Sequence, residues 1–349
     1  MARPSLRAVA VRFSLVGLLA AACSAGAGAP HHSAPPAVPT TAPVAPGTGP
    51  ATTATTTATT EPPTDRVAVT TTTVATPTGV GTTTLAVVDR TRPTVQYGRT
   101  LSPVRSLPTV VRYPAVGPQG AVESTDAPGA SGRWPLVVFA HGYNRSPATY
   151  AHLLHAWAAA GFVVAAPSFP LETQGGPLDE NDLNNEPQDI SVVITAVLSQ
   201  SSGPLAHLID PSRIAVTGHS DGAEAALAAG FVDGDTRIGP VISMAAQGII
   251  GGPSRDPQHP LLVVQGTEDT INPPARGDAV YAAAGPPKYY LRLLGAGHEP
   301  PIVFDTPWRP IVEQVTIDFL RRHLNGSVAA SVLVADGTRS GLSTLTADP

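Results

Sequence analysis

Gly218-His219-Ser220-Asp221-Gly222 follows a stretch centred on Ile214, Ala215 and Val216, and leads into the alanine-rich residues 223–229. Strand, tight turn and helix in that order hold the serine above the end of the strand, in a bend too sharp for side chains on either flank. Ser220 then also sits at a helix N-terminus, where the backbone dipole favours developing negative charge. A chain with 33 glycines produces such a five-residue match by accident, so its meaning depends on partners elsewhere.

Those partners follow. Leu261-Leu262-Val263-Val264-Gln265 reads as a buried parallel strand and ends in Gly266-Thr267-Glu268-Asp269. Residues 289–294 read as the next strand and end in Gly295-Ala296-Gly297-His298. Each strand therefore delivers an ionisable side chain to the loop at its C-terminal end. Nucleophile, acid and histidine in this order is the chain order of the α/β-hydrolase triad: Ser220 attacks, His298 is the base, and Asp269 orients the imidazole, with Glu268 as the alternative acid.

Upstream, the apolar strand Leu136-Val137-Val138-Phe139-Ala140 runs into His141-Gly142-Tyr143-Asn144. The backbone N–H of Tyr143 and that of Asp221 are the expected oxyanion donors. Their side chains are free for other tasks. Tyr143 is expected either to face substrate or to pack. Asp221 is expected to point away, because an inward carboxylate opposes an oxyanion. Trp308 and residues 300–304, shortly after His298, are the first candidates for substrate contact, with core packing as the alternative for Trp308, Trp134 and Trp157.

The segments FAHGYNRSPATY, GFVVAAPSFP, GHSDGAEAAL, VVQGTEDTINPPA and LLGAGHEPP together resemble the secreted bacterial α/β-hydrolases related to platelet-activating-factor acetylhydrolase, dienelactone hydrolase and the chlorophyllase and polyester hydrolase group. The resemblance spans roughly residues 84–324. It implies a serine esterase with no metal or organic cofactor, acting on a small or lipid-like ester. It is broad rather than narrow: cutinases and polyester hydrolases usually carry a disulfide and dienelactone hydrolase a cysteine nucleophile, whereas Cys23 is the only cysteine here.

Alternating strands and helices over residues 84–325 predict one α/β domain of the α/β-hydrolase fold, a mostly parallel central sheet with helices on both faces. Residues 85–88 and 110–113 read as an antiparallel edge, 150–161, 190–198 and 311–324 as helices, and 162–166 as a strand. The tail, residues 326–349, is expected either to add an edge strand at 331–335 or to be loose. Loop 171–189 is rich in Asp, Asn and Glu, but its spacing matches no calcium loop, and a polar rim with Asp189 as a helix cap is the better reading.

Arg3, Arg7 and Arg12 precede an apolar run to Ala22 and then Cys23, the pattern of a signal peptide over residues 1–23. LLAAAC resembles a lipoprotein processing site, so lipid attachment at Cys23 to the outer face of the cell membrane is expected, with free secretion as the alternative. Residues 24–83 are almost entirely Ala, Pro, Thr, Gly and Val and read as a disordered spacer reaching on the order of 150 Å when extended. A net charge of −5 with no basic cluster argues against nucleic acid. Two other functions fit the same residues: an envelope acyltransferase, in which an alcohol resolves the acyl-enzyme, and a surface-binding module that has lost its chemistry.

Overall fold

The computed structural model describes residues 79–120, 122–232, 234–249 and 259–349. The leader, Cys23 and the spacer up to residue 78 lie outside the described residues. The strands are β1 (Gly79–Asp89), β2 (Thr94–Gln96), β3 (Arg99–Ser102), β4 (Arg105–Ala115), β5 (Ser124–Thr125), β6 (Trp134–Ala140), β7 (Val163–Pro167), β8 (Ile209–His219), β9 (Ile238–Met244), β10 (Leu261–Gly266), β11 (Lys288–Leu293) and β12 (Ser343–Asp348). The helices are α1 (Ala151–Ala159), α2 (Glu186–Leu198), α3 (Asp221–Phe231), α4 (Pro274–Ala283), α5 (Pro300–Val303), α6 (Arg309–Leu320) and α7 (Ala330–Gly337).

One sheet runs β12-β11-β10-β9-β8-β6-β7-β4-β1-β5, and β2 with β3 makes a separate hairpin. From β11 to β7 every neighbouring pair is parallel. β4 pairs antiparallel with both β7 and β1, forming the expected antiparallel margin. Parallel strands covered on both faces must be apolar throughout, and all seven residues of β6 and all six of β10 are buried.

Side chains alternate between two cores, as a period of two requires. Leu136, Val138, Ile214, Val216, Leu261 and Val263 pack with α2 and α3 on one face. Val137, Phe139, Ala215, Leu262 and Val264 pack with α1 and α6 on the other. Each large side chain so buried contributes about 1.5–3 kcal/mol. The architecture is the expected mostly parallel sheet with helices on both faces.

Three local expectations are corrected. β1 starts at Gly79, upstream of the boundary expected at residue 84. Val80 is buried, and the Tyr113 ring occupies the place where a Cβ on Gly81 would stand, so this composition pairs with β4 despite its spacer-like look. Residues 331–335 lie in α7, and the edge strand is β12, whose alternation buries Ser343 and Leu345. Asp189 does not cap a helix: α2 begins at Glu186 with a proline in its first turn, and Asp189 turns inward onto Arg105.

Candidate active site

The strand order places the C-terminal ends of β6, β8, β10 and β11 along one edge of the sheet. Ser220 follows β8 with φ 56° and ψ −123°, a strained left-handed conformation for a residue with a side chain. The flanking glycines are demanded by contact as well as by bend. A Cβ on Gly218 would overlap the Gly222 carbonyl, and one on Gly222 would overlap the Ala140 carbonyl at the end of β6.

Asp269 and His298 meet. His298 Nδ1 lies 2.8 Å from Asp269 Oδ2. The other carboxylate oxygen accepts the backbone N–H groups of Ile271 and Asn272 at 2.9 and 2.8 Å, and Gln265 Nε2 donates to Oδ2 at 3.0 Å. Burial pushes the Asp269 pKa up, but the hydrogen bonds from His298, Asn272 and Ile271 outweigh it and hold the carboxyl below its ordinary value. Glu268 is exposed and makes none of these contacts. Ser220, Asp221, His298, Gly142 and Tyr143 line one cavity of about 350 Å³. Larger hollows of about 570 and 590 Å³ hold none of these residues.

The loop after β6 is set by His141. Burial lowers the pKa of this imidazole to about 4, so it is neutral, and Nδ1 donates to the Gly142 carbonyl at 3.0 Å while Nε2 accepts the Phe169 N–H at 3.2 Å. In a trans peptide the N–H points opposite to the C=O, so pinning the Gly142 carbonyl fixes the direction of the Tyr143 N–H. That N–H has no acceptor among the described residues.

The residues matched by the Chlorophyllase family model are 119–262, which contain the β6 loop and the Ser220 elbow. Among solved structures, the ferulic acid esterase from Streptomyces cinnamoneus superposes with a TM-score of 0.61 at 20% identity, covering 74% of this chain and 93% of that one. The chain has the α/β-hydrolase fold. As its motifs indicate, it resembles the chlorophyllase, dienelactone hydrolase and polyester hydrolase group. No curated protein matches it.

In this fold the histidine of the elbow, assigned no role by the motif, ties the site together. Gly142 N–H donates to Tyr150 Oη at 3.3 Å, and Tyr150 Oη lies 2.9 Å from His219 Nδ1. His219 Nε2 lies 3.2 Å from the His298 carbonyl, and the two imidazoles touch in a tilted arrangement with centroids 4.7 Å apart. Burial drives the His219 pKa down to about 3, so the neutral ring accepts from Tyr150 and donates to His298. The relay couples the β6 loop to the histidine loop. Arg145 adds a second tie, pairing with Glu299 next to His298.

Two expectations about side chains are corrected. Trp308 does not line the cavity: its indole packs on the core and donates to the Leu294 carbonyl at 3.1 Å. Trp157 and Trp134 are also core residues. Asp221 does not turn away from the site: it lines the cavity with Ser220 and His298. Its pKa is raised by burial and by Glu180, against the opposing pull of His298 and Ser220.

Behind Asp221 lie Glu172 and Glu186, both fully buried, with no donor among the described residues other than each other. Buried carboxyls without a donor are held in the protonated form. Burial first, then repulsion from Asp221, raises Glu172 to about 9, and burial with repulsion from Glu172 raises Glu186 as well. A carboxyl with a raised folded pKa contributes stability that is complete below its unfolded value and is lost as pH rises through the folded one. Glu172→Gln is therefore expected to raise the melting temperature by about 5 °C at pH 8–9 and by much less at pH 5. Parallel melting curves for the two proteins across that range would refute the raised pKa of Glu172. Among the described residues no group of three His, Cys, Asp or Glu is arranged to hold a metal ion.

Proposed function

We propose that this α/β-hydrolase is a serine carboxylic-ester hydrolase. Ser220 Oγ adds to the ester carbonyl as His298 takes its proton, and the Tyr143 and Asp221 N–H groups receive the oxyanion. His298 returns the proton to the leaving alcohol. Water, activated by the same imidazole, then releases the acid from Ser220. Asp269 holds the imidazole in the tautomer that leaves Nε2 free to accept. The observation that carries the reading is the 2.8 Å contact of His298 Nδ1 with buried Asp269, made where His298 and the strained Ser220 line one cavity. Exposed, unpaired Glu268 supports Asp269 as the acid.

A fluorophosphonate should label the protein stoichiometrically and fail to label Ser220→Ala, while a panel of p-nitrophenyl esters graded by acyl length reads the acyl preference. An unlabelled wild type would leave a binding module. The proposal extends to place: the arginine-flanked apolar leader and Cys23 support an enzyme held outside the cytoplasm by a lipid at that cysteine, which incorporation of a labelled fatty acid tests.

A further inference from the structure

The charges around the cavity are unequal. Glu180, Asp221 and Glu299 line it, and Arg145 is the cation among its lining residues. Arg145 is already engaged: its guanidinium pairs with Glu299 and donates to the Asn144 carbonyl at 2.9 Å. Glu180 is exposed and makes no ion pair among the described residues. Asp221 makes no ion pair among the described residues, burial raises its pKa, and unpaired Glu172 lies behind it. An anionic substrate would meet two uncompensated carboxylates and no free base.

The uncharged walls suit a cation as well. Tyr143 is 37% exposed and Ile271 is 64% exposed at the mouth. The hairpin of β2 and β3 carries a second phenol, close enough to Tyr143 to act on it electrostatically. Its Tyr97 is 72% exposed, and its backbone N–H donates to Asp179, the residue before Glu180, at 2.8 Å. Gln96 fastens the hairpin to the Leu178 carbonyl at 3.1 Å. Carboxylates beside accessible phenol faces are the surroundings in which an alkylammonium is held with little loss of hydration.

We infer that the cavity selects carboxylic esters bearing an ammonium group, with Glu180 and Asp221 as the charge partners and the Tyr143 ring as the aromatic wall. This inference rests on Ser220 being the nucleophile. Because Glu180 is solvated, its attraction is screened, and the preference it confers is about five- to tenfold rather than thousands.

The test uses pairs of esters alike in shape and different only in charge. Acetylcholine against 3,3-dimethylbutyl acetate places the charge on the alcohol. The p-nitrophenyl ester of trimethylammonioacetate against that of 3,3-dimethylbutanoate places it on the acyl group. In at least one pair, kcat/KM for the cationic ester should exceed its isostere by about five- to tenfold at low ionic strength, with the ratio shrinking as salt is added. Glu180→Gln should bring that ratio toward one, and Glu180→Lys should invert it. A ratio at or below one in both pairs, or one that ignores both substitutions, overturns the inference. Turnover of the neutral esters in that case would leave the serine-esterase reading intact. Hydrolysis of none of the four also overturns it, and fluorophosphonate labelling then decides separately whether Ser220 is a nucleophile.

Discussion

Replacing Ser220 by alanine is expected to lower the turnover of a p-nitrophenyl ester by roughly a millionfold while leaving the thermal transition where it was. The nucleophile cannot be substituted by a neighbour: the elbow holds one side chain at φ 56° over the cavity, and the flanking positions admit only hydrogen. Alanine fits the space, and the backbone strain remains in both proteins, so the loss belongs to chemistry rather than folding. His298→Ala should cost a similar factor, because the two residues act as a unit. Asp269→Ala should cost about ten-thousandfold, since it orients the base without touching substrate. Glu268→Ala should stay within about twofold, as expected of an exposed surface residue. The assay is single-ester kinetics on the four variants beside their melting curves. A Ser220→Ala protein retaining more than about a hundredth of the wild-type rate would remove the proposed mechanism, and a Glu268 variant more damaged than Asp269→Ala would move the acid by one residue.

How far such a site is legible depends on which residues announce themselves locally. Ser220, Asp269 and His298 do, because each follows a continuous apolar run, and parallel strands leave the sheet at the same edge. The preference for Asp269 over Glu268 rests on burial, which alternates with neither sequence nor charge in a tight loop. β9 is hidden because Gly239 and Pro240 interrupt its apolar run. β12 is hidden because its strand pattern is carried by serine, threonine and alanine beside a single leucine, while the more strand-like residues 331–335 are taken by α7, where Leu333 packs on the core. Least legible are the long-range polar ties. Nothing local connects Arg145 to Glu299 or Tyr150 to His219, and the inward turn of Asp221 follows from packing around the elbow. The elbow histidine could have been suspected, since it lies between a buried strand and the serine and so has no route to solvent.

The largest effect on stability is expected from a residue outside the proposed chemistry. Arg105→Met should destabilise the fold by about 3–5 kcal/mol at neutral pH. The guanidinium is fully buried and bridges two carboxylates: Nη1 and Nη2 reach Asp182 at 2.8 and 2.9 Å, and Nε and Nη2 reach Asp189 at 2.9 and 2.6 Å. Burial opposes its charge, yet hydrogen bonds to both partners raise its pKa. Removing the fork leaves Asp182 with no cation and Asp189 with Arg92 alone, beside a Glu172–Glu186 pair that is already short of one. Methionine replaces the volume and not the charge, so the deficit measures the orphaned carboxylates. Burial already raises Asp189, and without Arg105 the rise must grow. The variant should therefore regain stability as pH falls, because protonation removes the buried charge that Arg105 had balanced. Denaturant titrations at about pH 5 and pH 8 should show the deficit narrowing at the lower pH, and adding Asp182→Asn with Asp189→Asn should recover much of it at the higher one. A pH-independent deficit under about 1 kcal/mol would mean that water reaches this network and screens it, and the protonated state of Glu172 and Glu186 would lose its basis as well.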